Sequence, residues 1–96
     1  MSAVTREGDM NTGHGTHPPV PLITGSPNVF INGLPCGRQT DTYLLHVDPL
    51  GVSPHTGQIA KGSSTVFVNG LPIARVGDSV SCGGTVAQGS PNVFAK

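Results

Sequence analysis

The chain has 96 residues, five Lys/Arg against five Asp/Glu, and only 10% charged residues, so it is bounded to a single domain, residues 1–96, with a small core. Nothing in that balance lays a basic stripe along a phosphate backbone, and nucleic acid is excluded as an expected partner. No apolar run reaches membrane-spanning length, and MSAVTREGDM lacks the basic-then-apolar order of a secretory signal, so the chain is expected to begin in the cytoplasm.

In chain order, the N-terminal segment closes with Arg6-Glu7-Gly8-Asp9, an Arg-x-x-Asp pattern. Residues 10–24 follow, with GHGTHPP carrying His14 and His17. Next comes GSPNVFINGLPCGRQTD, residues 25–41. Its Val29-Phe30-Ile31 is a short β-prone run. Asn32-Gly33 comes directly after, and both residues tolerate the positive φ of a type I′ hairpin turn. Pro35 offers no backbone donor, which suits an edge position. The segment ends on Arg38 and Asp41. Residues 42–61 then carry His46 and His55.

At residue 62 the chain repeats itself. GSSTVFVNGLPIARVGD (62–78) matches residues 25–41 at an offset of 37, with ten of 17 positions identical and no gap. That is an internal duplication. Residues 79–88 carry Cys82, and GSPNVFAK (89–96) opens a third copy. The closing half of this copy lies at the other end of the chain, where Arg6–Asp9 matches Arg75–Asp78. Joined, the two ends complete a third unit. The expected fold is all-β: short hairpins in three pseudo-equivalent repeats around an axis, with the termini adjacent. No helical periodicity occurs.

The hydrophobic share is 35%, and Gly and Pro supply 14 and 9 residues. A turn-rich domain with so small a core needs a staple: a disulfide, a metal or an oligomer. A Cys36–Cys82 disulfide is the weaker reading for a chain without a signal peptide. Threefold symmetry gathers the segments 10–24, 42–61 and 79–88 at one end, and every His and Cys82 falls within them. His14 and His46 each lie five residues after a closing Asp, and Cys82 four after. His55 and Cys82 each lie seven before a GSxxVF block. His14, His46, His55 and Cys82 therefore form a candidate four-coordinate set suited to Zn²⁺. His17 competes for the first-loop place, and the phase match with His46 favours His14. Cys36 stands where the sister unit has Ile73, which favours a buried apolar role. Arg38 and Arg75 are expected to pair with a nearby Asp or backbone carbonyl.

Pro72-Ile73-Ala74-Arg75 and Pro35-Cys36-Gly37-Arg38, each followed three residues after Arg by Asp, resemble the PAAR-repeat proteins. The N-terminal VTREGD is similar to the tail of a third copy, so the resemblance spans about residues 4–95. Cys36-Gly37 departs from the Ala-Ala of the motif. The form with GHGTHPP early and SCGGTVAQGSPNVF late resembles single-domain members of type VI secretion systems and contractile phage tails. The resemblance implies a small cone with one structural zinc near the apex, bound by three His and one Cys. It implies a base that docks on a trimeric β-helical spike, VgrG or a phage spike protein, and a tip that meets the target membrane during contraction. Delivery outside the cell would then follow contraction. With two residues after the last repeat block, the chain is expected to be a bare tip, or an adaptor for a separate effector. The alternatives are an unrelated zinc-binding interaction module and a zinc hydrolase. The hydrolase reading has only Asp48, between His46 and His55, as a candidate base, and four protein ligands would close the site to water. No catalytic residue is expected.

Overall fold

The computed structural model describes residues 1–47 and 54–96. Among these it is all-β, with six two-residue strands: β1 (Ser2–Ala3), β2 (Phe30–Ile31), β3 (Leu34–Pro35), β4 (Phe67–Val68), β5 (Leu71–Pro72) and β6 (Phe94–Ala95). They pair as three antiparallel hairpins in one register. Phe30 faces Pro35 and Ile31 faces Leu34. Phe67 faces Pro72 and Val68 faces Leu71. In the third hairpin Phe94 faces Ala3 and Ala95 faces Ser2, so the two ends of the chain do complete one unit. The turns have the expected signs: φ is 54° and 79° at Asn32-Gly33, and 55° and 77° at Asn69-Gly70, as a type I′ turn requires.

The strands start one residue later than the β-prone runs. The Val29 N–H donates to Ser26 Oγ (2.9 Å), Val66 to Ser63 Oγ (3.0 Å) and Val93 to Ser90 Oγ (2.9 Å). The repeated Ser thus closes a local turn that takes the Val amide away from the ladder. The Val carbonyls still accept from Cys36, Ile73 and Val4 N–H.

Three units close into a ring through backbone hydrogen bonds. Thr5 N–H donates to the Ala74 carbonyl (3.1 Å), Ala74 N–H to Gly37 (3.0 Å) and Gly37 N–H to Thr5 (2.9 Å). These residues precede Arg6, Arg38 and Arg75, so the triangle marks the pseudo-threefold axis. A second cycle runs from Glu7 N–H to Pro35, Gln39 to Pro72 and Val76 to Ala3, each 2.9 Å. The axis is crowded. A Cβ on Gly37 would sit 2.7 Å from Thr5 Cγ2 and 3.1 Å from the Thr5 carbonyl oxygen.

Each Arg-x-x-Asp is a two-point clip. Nε and one Nη of Arg6, Arg38 and Arg75 grip both oxygens of Asp9, Asp41 and Asp78 at 2.8 to 3.1 Å. The same carboxylates accept the Arg backbone N–H. Arg6 and Arg38 reach on to Asn32 and Asn69 in the neighbouring hairpins (3.1 Å each), and Arg38 also donates to the Gly25 carbonyl. The arginines are structural, as the sequence leads one to expect.

Apolar side chains form two storeys. Val4, Cys36, Val68, Ile73 and Ala95 fill the hairpin end. Val20, Leu22, Tyr43, Ile59, Ala74, Val80 and Val86 fill a second storey, built mostly by the connecting segments themselves. Cys36 is fully buried at the place of Val4 and Ile73, and both cysteines are free thiols. The body measures 38 × 24 × 21 Å.

Candidate metal centre

The connecting segments pair with one another in a ring around the second storey. Leu22 bridges to Tyr43, Ile59 to Val80 and Asn11 to Val86. Beyond that ring the first two segments narrow to closed pairs. His14 and His17 exchange backbone hydrogen bonds (3.1 and 2.8 Å), as do His46 and His55 (3.0 and 3.1 Å). The third segment turns at Cys82, where Gly83 N–H donates to the Val80 carbonyl. The shared repeat phase of these donors thus has a structural cause: equivalent loops rise to the same height, and each places a donor there.

His14, His46, His55 and Cys82 each offer one ligand atom, and the four atoms lie within 4.8 Å of one another. The Nε2 atoms of His14 and His46 are each 2.8 Å from Nε2 of His55. Cys82 Sγ is 3.8 Å from His46 Nε2. A tetrahedral ion with bonds of about 2.0–2.3 Å places such donors roughly 3.3–3.6 Å apart. The observed separations bracket that span. His46 is also set in the right tautomer. Its Nδ1 lies 3.0 Å from the Pro18 carbonyl, which can only accept, so Nδ1 carries the proton and Nε2 keeps its lone pair for a metal. The group can hold a metal ion.

Electrostatics favour a neutral His14 imidazole and an unionised Cys82 thiol when no cation is present. The His14 pKa is lowered by burial first, then by the neighbouring rings of His17, His46 and His55. Burial raises the Cys82 pKa. A cation at the centre reverses the preference at sulfur, because it stabilises the thiolate directly.

A family model for the PAAR motif matches residues 12–88. The chain belongs to the PAAR-motif family. No curated protein matches it. The fold gives each letter of the PAAR motif a physical task. In Pro35-Cys36-Gly37-Arg38 and Pro72-Ile73-Ala74-Arg75 the Pro ends the hairpin and its carbonyl accepts from the next unit. The second residue fills the base core, the third closes the axial triangle, and the Arg clips its Asp. Ala3-Val4-Thr5-Arg6 performs the same tasks in the third unit.

Three contributors to the site are not evident from residue types. Pro18 supplies the acceptor that orients His46. His17 lays its ring on His14, with centroids 4.7 Å apart and planes 20° apart. Gly57 makes room for sulfur, since a Cβ there would sit 2.6 Å from Cys82 Sγ. The repeat phase held a signal for glycine: Gly57 lies five residues before Gly62, and Gly84 five before Gly89. Asp48, the candidate base of the hydrolase reading, lies outside the described residues.

Proposed function

We propose that this PAAR chain is a non-catalytic spike tip. It caps a trimeric β-helical spike, VgrG or a phage spike protein, and sharpens it for membrane puncture during contractile injection. The observation that carries the reading is at the hairpin end. Phe30, Phe67 and Phe94 occupy one position of the repeat, and all three are exposed, at 55%, 56% and 50%. Three equivalent aromatics on three equivalent hairpins suit a partner with true threefold symmetry. Exposed rings of this kind are expected anchors of an interface. The two-stranded hairpins also leave free edges, and β-pairing with the exposed strand ends of a trimer would cover both.

The opposite end explains the metal. The second apolar storey stops at Val80 and Val86, and above it the interior consists of imidazole rings and one sulfur. Among the described residues, neither buried apolar cluster extends past it to hold the loops together. One Zn²⁺ on His14, His46, His55 and Cys82 would close that end as a structural centre, since three nitrogens and one thiolate suit zinc and leave no open position for substrate water. The chain would be made in the cytoplasm and carried out, or into a target, by contraction.

Mixing the zinc-loaded protein with a trimeric spike fragment, followed by size exclusion with light scattering, tests the cap. One chain per trimer supports it, and Phe30→Asp with Phe67→Asp should abolish the complex. No complex with the spike encoded beside it refutes the proposal. Elemental analysis of protein purified without chelator tests the centre, and clearly substoichiometric zinc refutes it.

A second reading makes the chain an adaptor for a separate effector. One observation favours it: Ile23, Leu44, Leu45 and Val47 are exposed, with Ile23 and Leu44 on neighbouring paired segments, and the other two faces show no equivalent patch among the described residues. Leu44→Asp with Leu45→Asp would then leave spike binding intact and stop transport of a co-exported protein.

A further inference from the structure

The histidine that the site does not use as a donor sits against all three that it does. His17 is the structural counterpart of His55: each is the second member of a backbone-bonded pair, His14–His17 in one loop and His46–His55 in the next. Yet the donor group draws on His55 and on His14, and the His17 ring has a different place. It stacks on His14 at 4.7 Å with planes 20° apart. It lies 4.4 Å from the His55 ring at 49°, and 5.0 Å from the His46 ring at 46°. Its side chain is half-buried. One planar ring thus touches the faces or edges of three ligand rings at once.

That geometry restrains the donors in a way the backbone alone does not. His14 stands on a two-residue turn, Gly15–Thr16, at the outer end of its loop. An imidazole there has free rotation about two side-chain torsions unless something lies along its face. The stacked His17 ring supplies that surface, while the paired backbone fixes the distance between the two residues. Pro18, the next residue, presents the carbonyl that orients His46. Residues 17 and 18 together therefore bear on every imidazole of the centre.

We propose that His17 is a positioning residue: a ring that holds the three ligand imidazoles in place and slows release of the metal, without binding the metal itself. The role needs a flat ring, not a nitrogen donor. This inference rests on the metal centre proposed above.

The test uses the full chain loaded with Co²⁺ or Zn²⁺, with His17→Ala and His17→Phe beside the wild type. Cobalt absorption reports the donor set, and transfer of zinc to an excess of a coloured chelator reports the release rate. The expected result is that both variants keep one metal and the wild-type cobalt spectrum, including the sulfur-to-cobalt band. His17→Ala should release zinc about tenfold faster, the scale of losing an outer partner of a metal ligand. His17→Phe should release it at the wild-type rate. A weakened or shifted cobalt spectrum in either variant would make His17 a ligand and overturn the proposal. Equal release from His17→Ala and wild type, or fast release from His17→Phe, would overturn it too. Failure of the wild type itself to take up metal strikes at the centre instead, so the two ideas fail separately.

Discussion

Gly37 and Thr5 are coupled across the pseudo-threefold axis, and the coupling can be measured. Both lie in the axial triangle with Ala74, and Thr5 and Ala74 are fully buried. Gly37 does not adopt positive φ, so alanine meets no backbone penalty there and should gain about 0.4–1 kcal/mol from a less flexible unfolded chain. Against that, the new Cβ would lie 2.7 Å from Thr5 Cγ2, far inside the ~3.5–4.0 Å at which carbon atoms attract. Overpacking of this kind costs about 1–3 kcal/mol. Gly37→Ala should therefore destabilise by about 1 kcal/mol net, or roughly 4–8 °C in Tm for a domain of this size.

Thr5→Ala removes the methyl that causes the clash. It also removes a hydroxyl, Oγ1, that is buried with no hydrogen-bond partner among the described atoms. Loss of the methyl costs about 1 kcal/mol, and relief of an unsatisfied buried hydroxyl returns about the same, so the single variant should be near neutral. In the double variant the axis carries three alanines and the 2.7 Å contact is gone. The contacts with Leu22 Cδ2 at 3.0 Å and the residue-5 carbonyl oxygen at 3.1 Å remain, so its stability should recover most of the way to the wild type, with a coupling of about 1 kcal/mol in the double-mutant cycle. Urea unfolding followed by circular dichroism, at fixed excess zinc, measures all four corners. Additivity within error would show that the two positions are not coupled, and a Gly37→Ala variant as stable as the wild type would show that the axis is not crowded.

Cys82→Ser should lower metal content and Tm together, and metal content unchanged by elemental analysis would mean that sulfur is not the fourth donor. Burial, then the charge of Asp41, pushes the Cys36 thiol up to about 11 while Arg38 opposes the rise. The native state therefore holds its proton where the unfolded chain loses it. Stability should fall as pH rises from the ordinary thiol value, about 8.5, towards about 11. Denaturant midpoints across that range check the sign, with Cys36→Ala as the control that should flatten the slope. Native Cys36 should also resist alkylation unless the protein unfolds, which mass spectrometry after a short iodoacetamide pulse reads directly. Lys96 and Met1 stand at the turn places of the third hairpin, beyond the Ala95–Ser2 pair. A circular permutant in which Asn-Gly replaces Lys96 and Met1 at the junction, opened between Asn69 and Gly70, should fold and keep its metal, as judged by circular dichroism and zinc content. A permutant that fails to fold would mean that the three hairpins are not interchangeable.

The local units and their number are legible in the residues alone. Asn32-Gly33 and Asn69-Gly70 dictate tight turns because both residues tolerate positive φ, and the observed angles agree. The 37-residue offset implied equivalent hairpins, and the split copy implied that the two ends meet, because equivalent sequences seek equivalent contacts. Repeat phase also gathered His14, His46, His55 and Cys82, since loops rooted at the same height rise to the same place. Tertiary structure alone decided what depends on closing the ring. Nothing local says that Thr5, Gly37 and Ala74 form a hydrogen-bonded triangle, for each bond joins residues more than thirty positions apart. Repeat phase favoured His14 over His17 as the donor, but spacing says nothing of where the His17 ring goes. His14 and His17 are three residues apart on one turn. The fold supplies that placement by bringing His55 against both, with the His14 Nε2 beside His55 Nε2 and the His17 ring stacked on His14.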